Sequence, residues 1–205
     1  MLENLLPRLL LTPQSAADPR SCFAPLAPRD IWLEIGFGAG EHLAAQAHRN
    51  PGIGFIGVEP YVAGTAKLLA KIVTGEVANI RLYQSDARDI IETLPDASLG
   101  CVFVLFPDPW PKTRHHKRRL ISTEMLDSLA RLLRPGAELR FATDDPGYLV
   151  WTLERLASHP AFYWMAQSPD DWRNRPQDWP ETRYEAKAKL AGRICTYLRF
   201  IRRTD

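Results

Sequence analysis

"IWLEIGFGAGEHLAAQAHRN", residues 31 to 50, decides the fold. The apolar run IWLEIG reads as a strand, three glycines spaced GxGxG make a turn, and EHLAAQAHRN reads as a helix. Strand, turn and helix then recur. GIGFIGVE (52–59) is expected as a second strand, and YVAGTAKLLAKIVTG as a helix ending at Gly75. NIRLYQSD (79–86) is a third strand. SLGCVFVLF (98–106) is a fourth, and its near-continuous apolarity predicts burial on both faces. A helix over 120–134 stops at Pro135-Gly136, and AELRFATD (137–144) follows as the fifth strand. YLVWTLERLAS reads as a helix, and two last strands are expected near 161–167 and 194–202. This alternation predicts an α/β fold, a Rossmann-like doubly wound sheet of seven strands, mostly parallel with an antiparallel C-terminal strand. Ligands of such sheets bind beyond the carboxyl ends of the strands, where the strand order switches.

Around that core the bulk properties are ordinary. The chain has 205 residues, 45% hydrophobic and 24% charged, which suits one soluble α/β domain. Residues 1–30 are expected as an N-terminal arm and linker, and 31–205 as the domain. MLENLLPRLLL reads as a short helix or loose arm. Glu3 stands where a signal peptide would be basic, and Pro7-Arg8 break its apolar core. Residues 12–30, rich in Pro, Ser, Ala and Asp, read as a linker. No apolar run approaches the ~18 residues of a membrane span. Cys22, Cys101 and Cys195 are scattered, with no CxxC, and the five histidines lack metal-ligand spacing. Neither a disulfide framework nor a metal site is expected, and the cytoplasm follows. The charge is uneven. Residues 1–100 hold 8 Lys+Arg and 11 Asp+Glu, and residues 101–205 hold 18 and 13, so the second half carries a net of +5 and suits an anionic partner.

Three features fall at strand ends. Gly36, Gly38 and Gly40 open a helix after the first strand, either to let backbone approach a ligand or only to pack strand on helix. Glu59 ends the second strand about 20 residues on, where an acid accepts from ribose hydroxyls or caps a helix. Asp86-Ala87 end the third, where the aspartate accepts from an adenine amino group or serves as an N-cap. GxGxG differs from the GxGxxG of dinucleotide sites. The set resembles class I S-adenosyl-L-methionine-dependent methyltransferases more than nicotinamide enzymes.

The fourth strand delivers "FPDPWPKTRHHKRR", residues 106 to 119. Asp108 stands at the switch point between prolines that restrict the backbone. Trp110 offers a face for a base, or fills the core. Lys112, Arg114, Lys117, Arg118 and Arg119, with His115 and His116 among them, form a cluster fit for phosphates.

"LEIGFGAGE", "FPDPWPKTRHHKRR", "RFATD" and "PETRYE", in that order, resemble the tRNA (guanine-N7)-methyltransferase family over residues 31 to 203. The resemblance implies methyl transfer from S-adenosyl-L-methionine to a guanosine in the variable loop of tRNA. It implies cofactor contacts from Glu34, Glu59, Asp86 and Asp108, with Asp108 also catalytic. It implies substrate contacts from Lys112, Asp144 and the segment Thr182, Arg183, Tyr184 and Glu185, and RNA contacts from Arg114 to Arg119. By spacing alone, Asp144-Asp145-Pro146 reads as a helix start and Thr182 with Glu185 as a capping box. Members often carry a longer basic arm, which is short here, and Ala39 stands where asparagine is frequent. No metal and no membrane partner is expected, and the assembly is expected to be a monomer or homodimer. Rival readings are an exocyclic-amine methyltransferase, since Asp-Pro-Trp is loosely like (D/N)PPY, an RNA-binding module with a vestigial pocket, and a nicotinamide oxidoreductase.

Overall fold

The computed structural model describes residues 2–204, and side chains from Leu5 onward. Readings that rest on Met1, Asp205 or the Glu3 side chain lie outside the described residues. In chain order the strands are β1 (Asp30–Ile35), β2 (Ile53–Val58), β3 (Ile80–Tyr83), β4 (Leu99–Leu105), β5 (Leu133–Thr143), β6 (Phe162–Trp164) and β7 (Thr196–Arg202). The helices are α1 (Leu2–Leu9), α2 (Pro13–Ala16), α3 (Glu41–Arg49), α4 (Val62–Thr74), α5 (Ala87–Thr93), α6 (Thr123–Leu132), α7 (Pro146–Ser158), α8 (Asp170–Arg173) and α9 (Arg183–Leu190). One seven-stranded sheet results, ordered β3-β2-β1-β4-β5-β7-β6. β1 to β5 pair in parallel, and β7 runs antiparallel to both β5 and β6. The order reverses between β1 and β4, which puts the switch point beside the glycine turn and the Asp108 loop.

The apolar runs explain the layers. β2 is buried along its whole length and β4 at all but one position, because helices cover both faces. One core holds Ile31, Leu33, Val102, Val104, Leu139 and Phe141 against α5, α6 and α7. The other face packs Leu43, Phe55, Leu68 and Ile72 between α3 and α4. A third cluster, Phe103, Trp179, Tyr197 and Ala188, seats the loop before α9.

Local readings are settled or revised in three places. α5 follows the reading of Asp86 as an N-cap, and it fills the stretch between the third and fourth strands that carries no other expected element. β5 begins at Leu133 rather than 137, because Leu133 pairs with Leu99 and the ladder resumes at Glu138 after a bulge. Residues 12–30, which composition reads as a linker, pack down. Thr12 caps α2 in a capping box with Ser15, and Ala16 and Phe23 are buried. Just upstream, the Leu11 N–H donates to the Leu82 carbonyl at 2.7 Å, so the arm covers the β3 edge. Among the described residues, no helix is long and apolar enough to cross a membrane, and no His/Cys/Asp/Glu group could hold a metal.

Candidate active site

A cavity of about 320 Å³ opens where β1 to β4 end. Its wall comes from Gly36 and Gly38 after β1, Glu59 to Tyr61 after β2, Asp86 to Arg88 after β3, and Phe106 to Asp108 with Trp110 after β4. Arg118, Leu120 and Tyr184 close it. Gly36 and Gly38 have φ of +76° and +57°, a region costly for residues with a Cβ. A Cβ on Gly38 would lie 2.9 Å from the Tyr184 ring, so the ring rests directly on the turn. Glu59 is 5% exposed. Its Oε2 accepts from the Gly38 N–H at 2.9 Å and its Oε1 from the Tyr61 N–H at 3.1 Å, which fixes the carboxylate at the cavity wall. Asp86 is both cap and wall: Oδ1 accepts from the Arg88 N–H at 2.9 Å, while the residue borders the cavity beside Ala87.

Asp108 is exposed at the tip of a stiff loop. Phe106 and Trp110, two residues to either side, are held at φ of +51° and +43°. Each such non-glycine residue costs on the order of 1–3 kcal/mol, so the surroundings must fix the loop. The Phe106 N–H donates to the Ala142 carbonyl at 2.7 Å, and Arg119 Nε donates to the Pro109 carbonyl at 2.8 Å. Arg118 lies over the Trp110 ring, 4.9 Å from its centroid. Asp108 also borders a second cleft of about 350 Å³, shared with Asp144, Asp145, Tyr184, Lys187 and Arg193. Asp108 and Tyr184 therefore stand between the two hollows.

Several expected site residues lie elsewhere. Glu34 does not line the cavity. It is 3% exposed, and His42 Nδ1 lies 2.7 Å from its Oε2. A carboxylate only accepts, so that nitrogen carries the proton, and the pair clamps the two ends of the glycine turn. Gly40 also serves packing, since a Cβ there would strike Leu68 at 2.6 Å. Arg119 is 4% exposed and not free for RNA. Its guanidinium lies 5.1 Å from the Tyr148 ring centroid and 5.0 Å from that of Trp151. Burial pushes the Tyr148 phenol beneath it up to about 12. Glu185 is 1% exposed and lies outside both hollows. Tyr197 donates its hydroxyl to Glu185 Oε1 at 2.7 Å, with Lys189 Nζ at 2.6 Å and Arg175 Nε at 3.0 Å. Burial and then this carboxylate raise the Tyr197 phenol far above its usual value. Thr182 caps α9, its hydroxyl accepting from the Glu185 N–H at 3.1 Å. His115 packs edge-on to Trp110 and His116 to Trp151. Lys112, Arg114 and Lys117 remain exposed, as do Arg183 and Tyr184.

Residues 28–197 match the profile of a family described as "Putative methyltransferase". A tRNA (guanine-N(7)-)-methyltransferase of Rhodospirillum rubrum is 52% identical over 99% of this chain and 81% of its own length. The chain belongs to that family. A tRNA (guanine-N(7)-)-methyltransferase of Brucella anthropi is 48% identical over 99% of this chain and 88% of its own. Solved structures repeat the fold at low identity. The 16S rRNA methyltransferase KamB gives a TM-score of 0.64 at 19% identity, covering 89% of this chain and 92% of its own. The 16S rRNA (adenine(1408)-N(1))-methyltransferase from Catenulisporales acidiphilia gives 0.59 at 20%, covering 94% of each chain.

For a methyltransferase of this family the first cavity has a suitable donor set. Glu59, Asp86 and Asp108 surround it with carboxylates, which suits a ligand carrying ribose hydroxyls, an amino group and a cationic sulfur. Tyr61, Arg193 and Lys187 were missed in the sequence. Tyr61 stands two residues after Glu59, across Pro60, and that nearness is the available signal. Arg193 Nε pairs with Asp144 Oδ2 at 2.6 Å across 49 positions, and no local pattern announces such a contact.

Proposed function

We propose that this chain transfers a methyl group from S-adenosyl-L-methionine to N7 of a guanosine in the variable loop of tRNA. The observation that carries this reading is the meeting of the two hollows at Asp108 and Tyr184, beside the exposed cations of the 112–118 loop. When bound, S-adenosylmethionine supplies a methyl group on a cationic sulfur. Glu59, its oxygens held by two backbone N–H groups, accepts from the ribose hydroxyls, and Asp86 accepts from the adenine amino group. Gly36 and Gly38 give the ligand room against bare backbone.

Guanine N7 has a free lone pair, so no base need remove a proton before attack. The protein's task is alignment, holding nucleophile and methyl carbon within reach and in line. Asp108 and Asp144 accept the N1–H and exocyclic amino donors of guanine, a pair that adenine lacks. The same carboxylates stabilise the positive charge that grows on the purine. Tyr184 shapes both hollows, and Lys112, Arg114 and Lys117 hold the phosphates of an unstacked loop. Residues 31–205 act as the methyltransferase domain and 1–30 as its arm, in the cytoplasm, as a monomer or homodimer.

Incubation with labelled cofactor and unmodified tRNA, followed by nucleoside identification, tests this. The expected product is N7-methylguanosine in the variable loop. Label in adenosine, in the exocyclic amine of guanosine, or in no nucleoside overturns it.

A further inference from the structure

The second cleft has a wall that the reaction above leaves unused. Helix α9 buries Thr182, Glu185 and Ala188 and turns Arg183, Lys187 and Leu190 outward, at i, i+4 and i+7. Gly192, at φ +69°, then turns the chain, and Arg193 and Ile194 follow on the outside. Leu190 is 91% exposed and Ile194 79%, more than any other large apolar side chain described. Lys187 and Arg193 border the cleft that Pro107 to Pro109 also line.

We propose that the outer face of α9 and the turn through Ile194 form a second RNA-binding wall. Lys187 and Arg193 would take phosphates, and Leu190 and Ile194 would pack on bases splayed from the strand that carries the target. The inference rests on the proposed RNA substrate and adds a surface to it. Charge complementarity commits the face to RNA. Its apolar pair shares the face with Arg183, Lys187 and Arg193, while Lys189 is held by Glu181 and Glu185, and the cores of protein–protein interfaces are poor in lysine. Unstacked bases, by contrast, present apolar faces directly beside phosphates. Arg193 adds a link to recognition. A guanine that donates to Asp144 competes with the guanidinium now 2.6 Å from that carboxylate, and releases it to take a phosphate of the bound strand.

The test uses the full chain and an unmodified tRNA transcript. Lys187→Ala with Arg193→Ala flattens the slope of log K against log salt by about 1.4, the sum of two single-stranded contacts at ~0.7 each. Leu190→Ser with Ile194→Ser weakens tRNA binding at least about fourfold, the equivalent of a single buried CH₂ at ~0.8 kcal/mol. Calorimetric affinity for S-adenosylmethionine stays at the wild-type value in both, which confirms folding. Unchanged tRNA affinity and salt slope overturn the wall. So does a serine pair that turns a dimer into a monomer in sedimentation without altering RNA binding, which assigns the face to a second copy. The wild-type product is identified in parallel. N7-methylguanosine together with unaffected variants sinks this wall alone and leaves the methyl-transfer reading standing.

Discussion

Glu59 is the residue whose role is most directly measurable. Replacement by Ala removes the ribose acceptor and strips the Gly38 and Tyr61 N–H groups of their partner. Cofactor binding is expected to weaken by about 1–3 kcal/mol. Calorimetry that finds the wild-type affinity would remove this acid from the site. Asp108→Ala separates chemistry from binding, because the exposed cations stay in place. Turnover should fall far more than tRNA affinity, and near-normal methylation by the variant would reduce Asp108 to a turn residue. Position at a strand end made both acids legible in the sequence. Arg118 and Arg119 show the opposite case. They are adjacent and chemically identical, yet one borders the cavity and the other donates to the Pro109 carbonyl beneath the loop. Only the distant Tyr148 and Trp151 decide which is which, so no local pattern separates them.

At the scale of elements, the 106–119 loop divides into a contact surface and a support. Arg114→Ala with Lys117→Ala should flatten the tRNA salt slope by about 1.4–1.8, at ~0.7 per single-stranded and ~0.9 per duplex contact. Arg119→Ala should leave that slope at its wild-type value. Its cost falls on stability and turnover, since the Pro109 carbonyl and the left-handed Trp110 lose their tie. A thermal melt and a rate measurement on the same protein check this; a changed slope with an unchanged melting temperature would return Arg119 to the RNA surface. Element identity was readable at β1, β2, β4 and α4, where an apolar run met a glycine or proline stop. It was not decided for α5, seven residues whose cap, Asp86, reads equally as an N-cap and as the last residue of a strand. Nor was it readable for residues 12–30, where proline and alanine say linker and burial of Phe23 and Ala16 says core.

Across the whole molecule the interior strands of the sheet are tied by carboxylates, and this sets how it meets acid. Asp30 at the start of β1 accepts both prongs of Arg134, at 2.6 and 2.9 Å. Glu138 in β5 accepts from Arg140 at 2.8 Å and from Arg199 in β7 at 2.9 Å. Burial alone would raise both carboxyls. For Asp30 the bonds from Arg134 and Trp32 outweigh it, and for Glu138 the arginines do, so each lies below its ordinary value in the folded protein. A carboxyl depressed by folding adds stability that is whole above its unfolded pKa, about 3.9 for Asp and 4.3 for Glu. That stability is lost as pH falls through the lower folded value. The melting temperature should therefore hold from neutral pH down to about 5 and fall below about 4. Glu138→Gln tests the origin of the fall. It leaves Arg140, 7% exposed, with Asp178 as its remaining ion pair, and should lower stability at pH 7 by about 1–3 kcal/mol. Because the variant has already lost what acid would remove, its decline below pH 4 should be shallower than that of the wild type. Melting curves that run parallel down to pH 3 would place the acid sensitivity in other carboxyls.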